Sequence, residues 1–144
     1  MFDDNYYMKK ALQEAEFAFQ EDEVPVGAVI VCRDQIIARA HNMTERLNDV
    51  TAHAEMQAIT AAANKIGGKY LTDCTLYVTV EPCPMCAGAI GWAQIGRLVY
   101  GAPDEKRGYT LIAPRALHPK TEVKNGVLSD EATALMKDFF KKKR

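Results

Sequence analysis

The sequence predicts an α/β fold, a mixed sheet with helices on both faces, and three observations predict it. Two apolar runs of strand length, residues 24–31 and 35–41, meet at a short turn containing Arg33 and Asp34, which makes an antiparallel hairpin. Two later runs, 74–80 and 97–102, alternate with stretches of helical periodicity, the pattern of parallel strands joined by crossover helices. The 144 residues contain no repeat, low-complexity tract or linker, so these elements form one domain spanning 1–144.

In chain order, "NYYMKKALQEAEFAFQED" sets Met8, Ala11, Leu12, Ala15, Ala18 and Phe19 on one helical stripe, with Asp4 or Asn5 as its cap. "VPVGAVIV" is a continuous apolar run, as expected of a buried strand, and "QIIARAH" is its hairpin partner. "AHAEMQAITAAANKIGG" carries Met56, Ile59, Ala63 and Ile66 at helical spacing and stops at Gly67. "CTLYVTV" is a strand, "CPMCAGAIGWAQI" a helix despite Gly88 and Gly91, and "RLVYGA" a further strand. "EATALMKDFFKKK" closes the chain as an amphipathic helix, with Ser129 as the expected cap, Asp130 and Glu131 in its first turn and lysines in its last. Both ends of that helix suit its dipole.

Composition excludes several classes. Hydrophobic residues are 48% and charged residues 26%, as in ordinary globular domains. No basic segment followed by an apolar one suggests a secretory signal, and no apolar run approaches the ~18 residues of a membrane span. Four cysteines are too few for a disulfide scaffold in a chain of this length, so reduced thiols and a cytoplasmic location are expected. The net charge of −1 argues against indiscriminate nucleic-acid binding, but residues 1–34 hold eight acids against three bases and residues 115–144 eight bases against four acids. That basic end permits a local anionic partner.

The pair Cys83 and Cys86 in "TVEPCPMCAGAI" lies at a helix start, where both sulfurs share one face and unpaired N–H groups favour thiolate. A redox dithiol, a metal site and plain packing all fit a lone pair of this kind; packing is the reading for Cys32 and Cys74. "TAHAEMQAI" supplies further donors, His53 and Glu55, at the start of another helix. Residues two apart point about 200° apart on a helix, so these two converge only on a site beyond its N-terminus, where "PCPMC" also delivers its sulfurs. His53, Cys83 and Cys86 are a donor set suited to zinc. Three protein ligands plus water is the catalytic arrangement, in which the water's pKa falls from 15.7 to about 7, and Glu55 is then the natural general acid and base.

This constellation resembles the zinc deaminases of the cytidine deaminase-like superfamily, whose known signature is H-x-E followed by P-C-x-x-C. Within it the chain is similar to the bacterial tRNA adenosine deaminases, which convert the wobble adenosine of an anticodon to inosine. The likeness runs through "EVPVGAVIV", "NDVTAHAE", "LYVTVEPCPMCAGAI" and "NGVLSDEATALMKDFFKKK". It implies a three-layer α/β/α sandwich with a five-stranded mixed sheet. It also implies one Zn2+ per chain on His53, Cys83 and Cys86, with Glu55 as proton shuttle. Asn42 would hydrogen-bond the target base, Val26 would wall its pocket, and the backbone at Ala54 would make a further contact. Asp104 and Lys106 would lie in a loop beside the flanking nucleotides. The implied partners are a tRNA anticodon stem-loop and a second copy of the chain, in a homodimer sharing the RNA surface, with no membrane.

Two stretches depart from that pattern. Gly91-Trp92-Ala93-Gln94-Ile95 stands where the family tends to read x-x-S-R-[IL], and Tyr109-Thr110-Leu111 replaces a run of small residues. "EPCPMCxGAIxWA" is also similar to the guanine deaminases of the same superfamily, although these tend to carry an aromatic where Val26 stands and lack the basic tail "KKKR". A zinc-stabilised RNA-binding module without catalysis is the reading from another class, and Glu55, not needed as a ligand, argues against it. Several residues also have simpler readings: Trp92 in a core or interface, Asn42 capping a strand end, and Lys141, Lys142, Lys143 and Arg144 as a solvated helix end.

Overall fold

The computed structural model describes residues 2–143. Along the chain run α1 (Asp4–Gln20), β1 (Gly27–Cys32), β2 (Gln35–His41), α2 (Ala54–Ile66), β3 (Cys74–Val80), α3 (Pro84–Ala93), β4 (Arg97–Ala102), α4 (Tyr109–Ile112), β5 (Glu122–Lys124) and α5 (Ser129–Lys142). One sheet takes the strands in the order β2-β1-β3-β4-β5. β1 is antiparallel to β2 and to β3, whereas β3, β4 and β5 are mutually parallel. Arg33 and Asp34 both adopt positive φ, 52° and 64°, the two-residue turn whose twist suits a hairpin.

Alternation along the strands builds the three layers, because successive side chains leave opposite faces. Ala28 and Ile30, Leu76 and Val78, Leu98 and Tyr100 pack with α2 and α3 residues such as Ala58, Ala62, Ala87 and Ile90. The intervening Val29, Val31, Tyr77 and Val99 pack with Tyr7, Met8 and Ala11 of α1. α5 completes that second layer against β4 and α1, with Phe139 edge-on to Phe19 at 6.1 Å. The expected α/β/α sandwich with a five-stranded mixed sheet is the observed fold.

Local details differ from the sequence reading. The α1 cap is Asp3, whose carboxylate accepts the Tyr6 N–H at 2.9 Å; Asp4 and Asn5 are already helical. Ser129 is the first residue of α5, and Leu128 stands at the cap position in left-handed geometry without a side-chain bond. α2 buries Ala54, Glu55, Ala58 and Ala62 instead of the Met56–Ile66 stripe. Close approach to the sheet selects small side chains there, and Ile66 is left exposed. α4 and β5 went unread because neither carries a period: α4 has four residues and β5 three, all exposed.

Asp4 is freed for a different task. Its carboxylate accepts from Arg97 at 2.7 and 2.8 Å, from the Tyr77 hydroxyl at 2.7 Å and from Lys124 at 3.1 Å, tying α1 to β3, β4 and β5. The Arg97 guanidinium first, then Tyr77 and Lys124, hold the Asp4 carboxyl well below the usual carboxylate range against the opposing effect of burial. A depressed carboxylate contributes its stability above the unfolded pKa near 3.9 and loses it as the pH falls toward the folded value. Asp4→Asn is therefore expected to cost about 1.5–3 kcal/mol at neutral pH. Thermal melts of wild type and variant should show a constant gap above about pH 5 that narrows below about pH 4. Equal melting temperatures at pH 7 would assign the network no net worth.

Candidate metal centre

Two helices begin at one place. β3 ends at Val80 and the chain turns through Glu81 and Pro82 into α3, with Cys83 at its N-cap and Pro84 in its first turn. β2 ends at His41, and a loop leads to His53, the N-cap of α2. N-caps are ordinarily Ser, Thr, Asp or Asn, whose side chains bond back to the helix. Here neither His53 nor Cys83 makes a side-chain cap bond, so some helix stability is given up and both side chains are turned elsewhere.

They turn to a common centre. His53 Nδ1 lies 3.7 Å from Cys83 Sγ and 3.5 Å from Cys86 Sγ. Among the described residues these three form the one cluster of potential metal ligands, their donor atoms all within 4.8 Å of one another. Tetrahedral bonds of about 2.3 Å to sulfur and 2.05 Å to nitrogen set neighbouring S and N donors about 3.6 Å apart. The observed separations fit that donor set. His41, by contrast, is held between Glu14 at 3.2 Å and Glu21 at 2.7 Å, which removes it as a fourth ligand.

The two sulfurs share a proton unequally. The Cys86 thiol donating to it, with His53 adding to the effect, pulls Cys83 down to about 4, and the Cys83 thiolate together with burial pushes Cys86 up. The hydrogen bond to Cys83 raises His53, against its burial. Glu55, in the first turn of α2, is 3% exposed; burial, partly offset by its own N–H, pushes its carboxyl up to about 7. Its charge adds to what raises the Cys86 thiol. A carboxyl beside the donors, near neutrality and not among the clustered ligands, is equipped to pass protons.

The remaining expected residues fall into two groups. Asn42, 6% exposed, donates its N–H to Val26 O at 3.0 Å and accepts the Thr44 N–H at 3.4 Å, so Asn42 and Val26 meet where β1 and β2 begin and end. Ala54 is fully buried as the first residue of α2. Asp104 is committed locally: its carboxylate accepts the N–H groups of Lys106 and Arg107 at 3.0 Å each. Lys106 is exposed.

Three residues that sequence reasoning missed hold the rims. Glu81, 6% exposed, accepts the Asp104 N–H at 3.1 Å, the Thr110 N–H at 3.0 Å and the Thr110 hydroxyl at 2.7 Å, while Tyr109 N–H donates to Pro82 O. A Cβ on Gly108 would meet Glu81 Oε2 at 2.2 Å, so only glycine fits this clasp. Glu23, 1% exposed, accepts the Glu45 and Arg46 N–H groups at 3.0 and 2.7 Å, fixing the loop after Asn42. The Gln57 amide donates to His41 O at 2.7 Å and Ala52 O at 3.0 Å, closing the ends of the loop that delivers His53. An acidic residue one or two positions before a proline, beside an apolar run, was the available signal for Glu23 and Glu81.

Packing accounts for Tyr109 and Gly91 among the departures. Tyr109 is 4% exposed and sits edge-on to Tyr100 at 6.3 Å. A Cβ on Gly91 would lie 2.1 Å from Ala116 O. Trp92 is 85% exposed, which excludes the core reading. In the tail, Lys143 pairs with Asp22, and Lys142 lies 5.2 Å over the Phe19 ring, so these lysines fasten α5 to the end of α1; Arg144 lies outside the described residues.

A family model described as MafB19-like deaminase matches residues 2–144. A curated relative from Agrobacterium fabrum, a tRNA-specific adenosine deaminase, is 42% identical over 149 residues, covering 100% of this chain and 98% of its own. A solved structure from studies of A-to-I editing by tRNA:A34 deaminases at the wobble position of transfer RNA is 43% identical with a TM-score of 0.84, covering 90% of this chain and 98% of that one. A guanine deaminase structure from Bacillus subtilis is 40% identical with a TM-score of 0.68, covering 71% of this chain and 66% of its own.

Proposed function

This chain belongs to the MafB19-like deaminase family, and from that premise we propose that it hydrolyses adenosine to inosine at the wobble position of a tRNA anticodon. The observation that carries the chemistry is the convergence of His53, Cys83 and Cys86 at tetrahedral spacing with the buried Glu55 beside them. The specificity is supported by full-length relatives at 42% identity and by the wobble-editing structure at 43% identity over 98% of its own length.

His53, Cys83 and Cys86 would hold one Zn2+ per chain, and the ion would supply a water acidic enough to be activated near neutral pH. The reaction consumes one water and releases one ammonia. Glu55 takes a proton from the water and delivers it to N1 of the adenine ring as the oxygen–C6 bond forms, then carries the second proton, from the new C6 hydroxyl, to the departing amine as the C6–N bond breaks. Asn42 and the backbone at Ala54 hold the base edge, and Val26 walls the pocket. The loop carrying Asp104 and Lys106, clasped by Glu81, flanks the neighbouring nucleotides. An anticodon loop suits such a pocket because its wobble base is unpaired within the tRNA, which lowers the cost of flipping it out. The enzyme works in the cytoplasm. It acts as a homodimer, and Trp92 and Met85 on α3 with Leu111 and Ile112 on α4, all exposed, supply an apolar surface for the second copy.

One set of measurements tests this. Purified enzyme incubated with an anticodon stem-loop bearing a wobble adenosine should produce inosine there, read as guanosine on reverse transcription, and the same preparation should sediment as a dimer. Rapid ammonia release from free guanine without inosine in the stem-loop would replace tRNA by a free base as the substrate. A monomer active on the stem-loop would remove the shared surface alone.

A further inference from the structure

We propose that Cys32 and Cys74 form a second thiol site, separate from the metal centre, which exchanges with low-molecular-weight disulfides and closes a disulfide between β1 and β3. The two residues are register partners in the last pair of the β1–β3 ladder. Antiparallel partners project to the same face, and both cysteines pack in the cluster under α2. The Asn42 N–H donates across to Val26 O, so the alternate residues Ala28, Ile30 and Cys32 bond toward β2 and not toward β3, which marks the Cys32–Cys74 pair as the non-hydrogen-bonded kind. Cα atoms in such pairs lie about 4.5 Å apart, inside the range of about 4.4–6.8 Å that disulfides span. Both thiols are free, and burial, with the neighbouring Cys32 sulfur adding to it, pushes the Cys74 thiol up to about 12.

Access is built in. A cavity of about 290 Å³ is lined by both cysteines together with Arg33, Ile66 and Tyr70. Cys32 is the more exposed of the two. The Arg33 side chain is 85% exposed and pairs with Asp73 only at 3.9 Å, a solvent-screened contact that leaves the guanidinium available to a carboxylate-bearing disulfide. Cys74 opens β3 whereas Cys83 follows its end. Six strand steps of about 3.3 Å, roughly 20 Å in all, therefore separate this site from the metal centre.

The chemistry balances as thiol–disulfide exchange. The Cys32 thiolate attacks one sulfur of a disulfide R–S–S–R, forming a Cys32–S–S–R bond and releasing one RSH. Cys74 then gives up its proton and attacks the Cys32 sulfur, expelling the second RSH. The protein dithiol loses two electrons and two protons, and the small disulfide gains them.

The test uses the intact, metal-loaded protein with oxidised glutathione, followed by alkylation and peptide mapping. The expected wild-type product is a Cys32–Cys74 cross-linked peptide that excess dithiothreitol reverses. Cys74→Ser should stop at a glutathione adduct on Cys32, and Cys32→Ser should leave Cys74 free. Deaminase activity of both variants should equal that of wild type. Cys32 and Cys74 both alkylated after treatment, or oxidation confined to Cys83 and Cys86, would overturn the proposal, as would an adduct that forms on Cys74 first.

Discussion

Glu55→Ala is expected to lower turnover by at least the roughly 10²–10⁴-fold typical of general acid–base assistance, while leaving zinc content and stem-loop affinity near wild type. The loss should exceed that range because one carboxyl serves every proton transfer of the reaction. Glu55→Gln keeps the shape and removes the titratable group, so it should lose kcat similarly with little change in KM, the split expected when only a transition-state interaction is removed. Stability should not follow activity. Burial pushes the Glu55 carboxyl up to about 7 from an ordinary 4.5, and an acid with a raised pKa destabilises the fold as pH rises through that interval. In the metal-free protein, Glu55→Gln should therefore melt no lower than wild type at pH 7.5. A kcat near wild type in either variant, with zinc confirmed present, would return Glu55 to a structural residue.

The second large effect concerns the metal. Wild-type protein purified without chelator should contain close to one zinc per chain, and replacing both Cys83 and Cys86 by alanine should reduce this to none and abolish turnover. One histidine cannot hold the ion alone. The field that remains, from the N-termini of α2 and α3, is positive and opposes a cation, so nothing replaces a binding energy of about 10–16 kcal/mol, the size seen for structural zinc in small peptides. Melting temperature should fall as well, because binding energy at a site formed only by folding is folding energy. Cys86 is fully buried, so Cys83→Ala, at the half-exposed position, is the milder variant and should retain the fold with weakened zinc. Zinc retained at one per chain in the double variant would sink the assignment.

The segments with a strong period were legible in the sequence, and so was the cluster of donor side chains at their ends. β2, β3 and β4 were read to the residue, and α2 stops at Gly67 with φ 81° as glycine there required. His53, Cys83 and Cys86 were legible because a ligand set needs particular residue types at helix starts, and both types and starts are local properties. Asp3, Leu128, α4 and β5 were missed because cap geometry and short unpatterned segments depend on what lies beside them.

The rest belonged to the tertiary structure. Which face of α2 is buried was decided by closeness to the sheet, which seats Ala58 and Ala62 and turns the larger Ile66 outward. The Glu81 and Glu23 clasps join segments 23 and 22 residues apart in sequence at their shortest, and Asp4 reaches Arg97 across 93. The Cys32–Cys74 pairing follows from strand register alone. Sequence by itself determined the types and order of the periodic elements and the donor set, since these rest on local periodicity and residue chemistry. Only the fold decided which buried carboxylates hold the rims, how close the donors stand and which thiols meet. Those outcomes are distances between chain segments that no local pattern encodes.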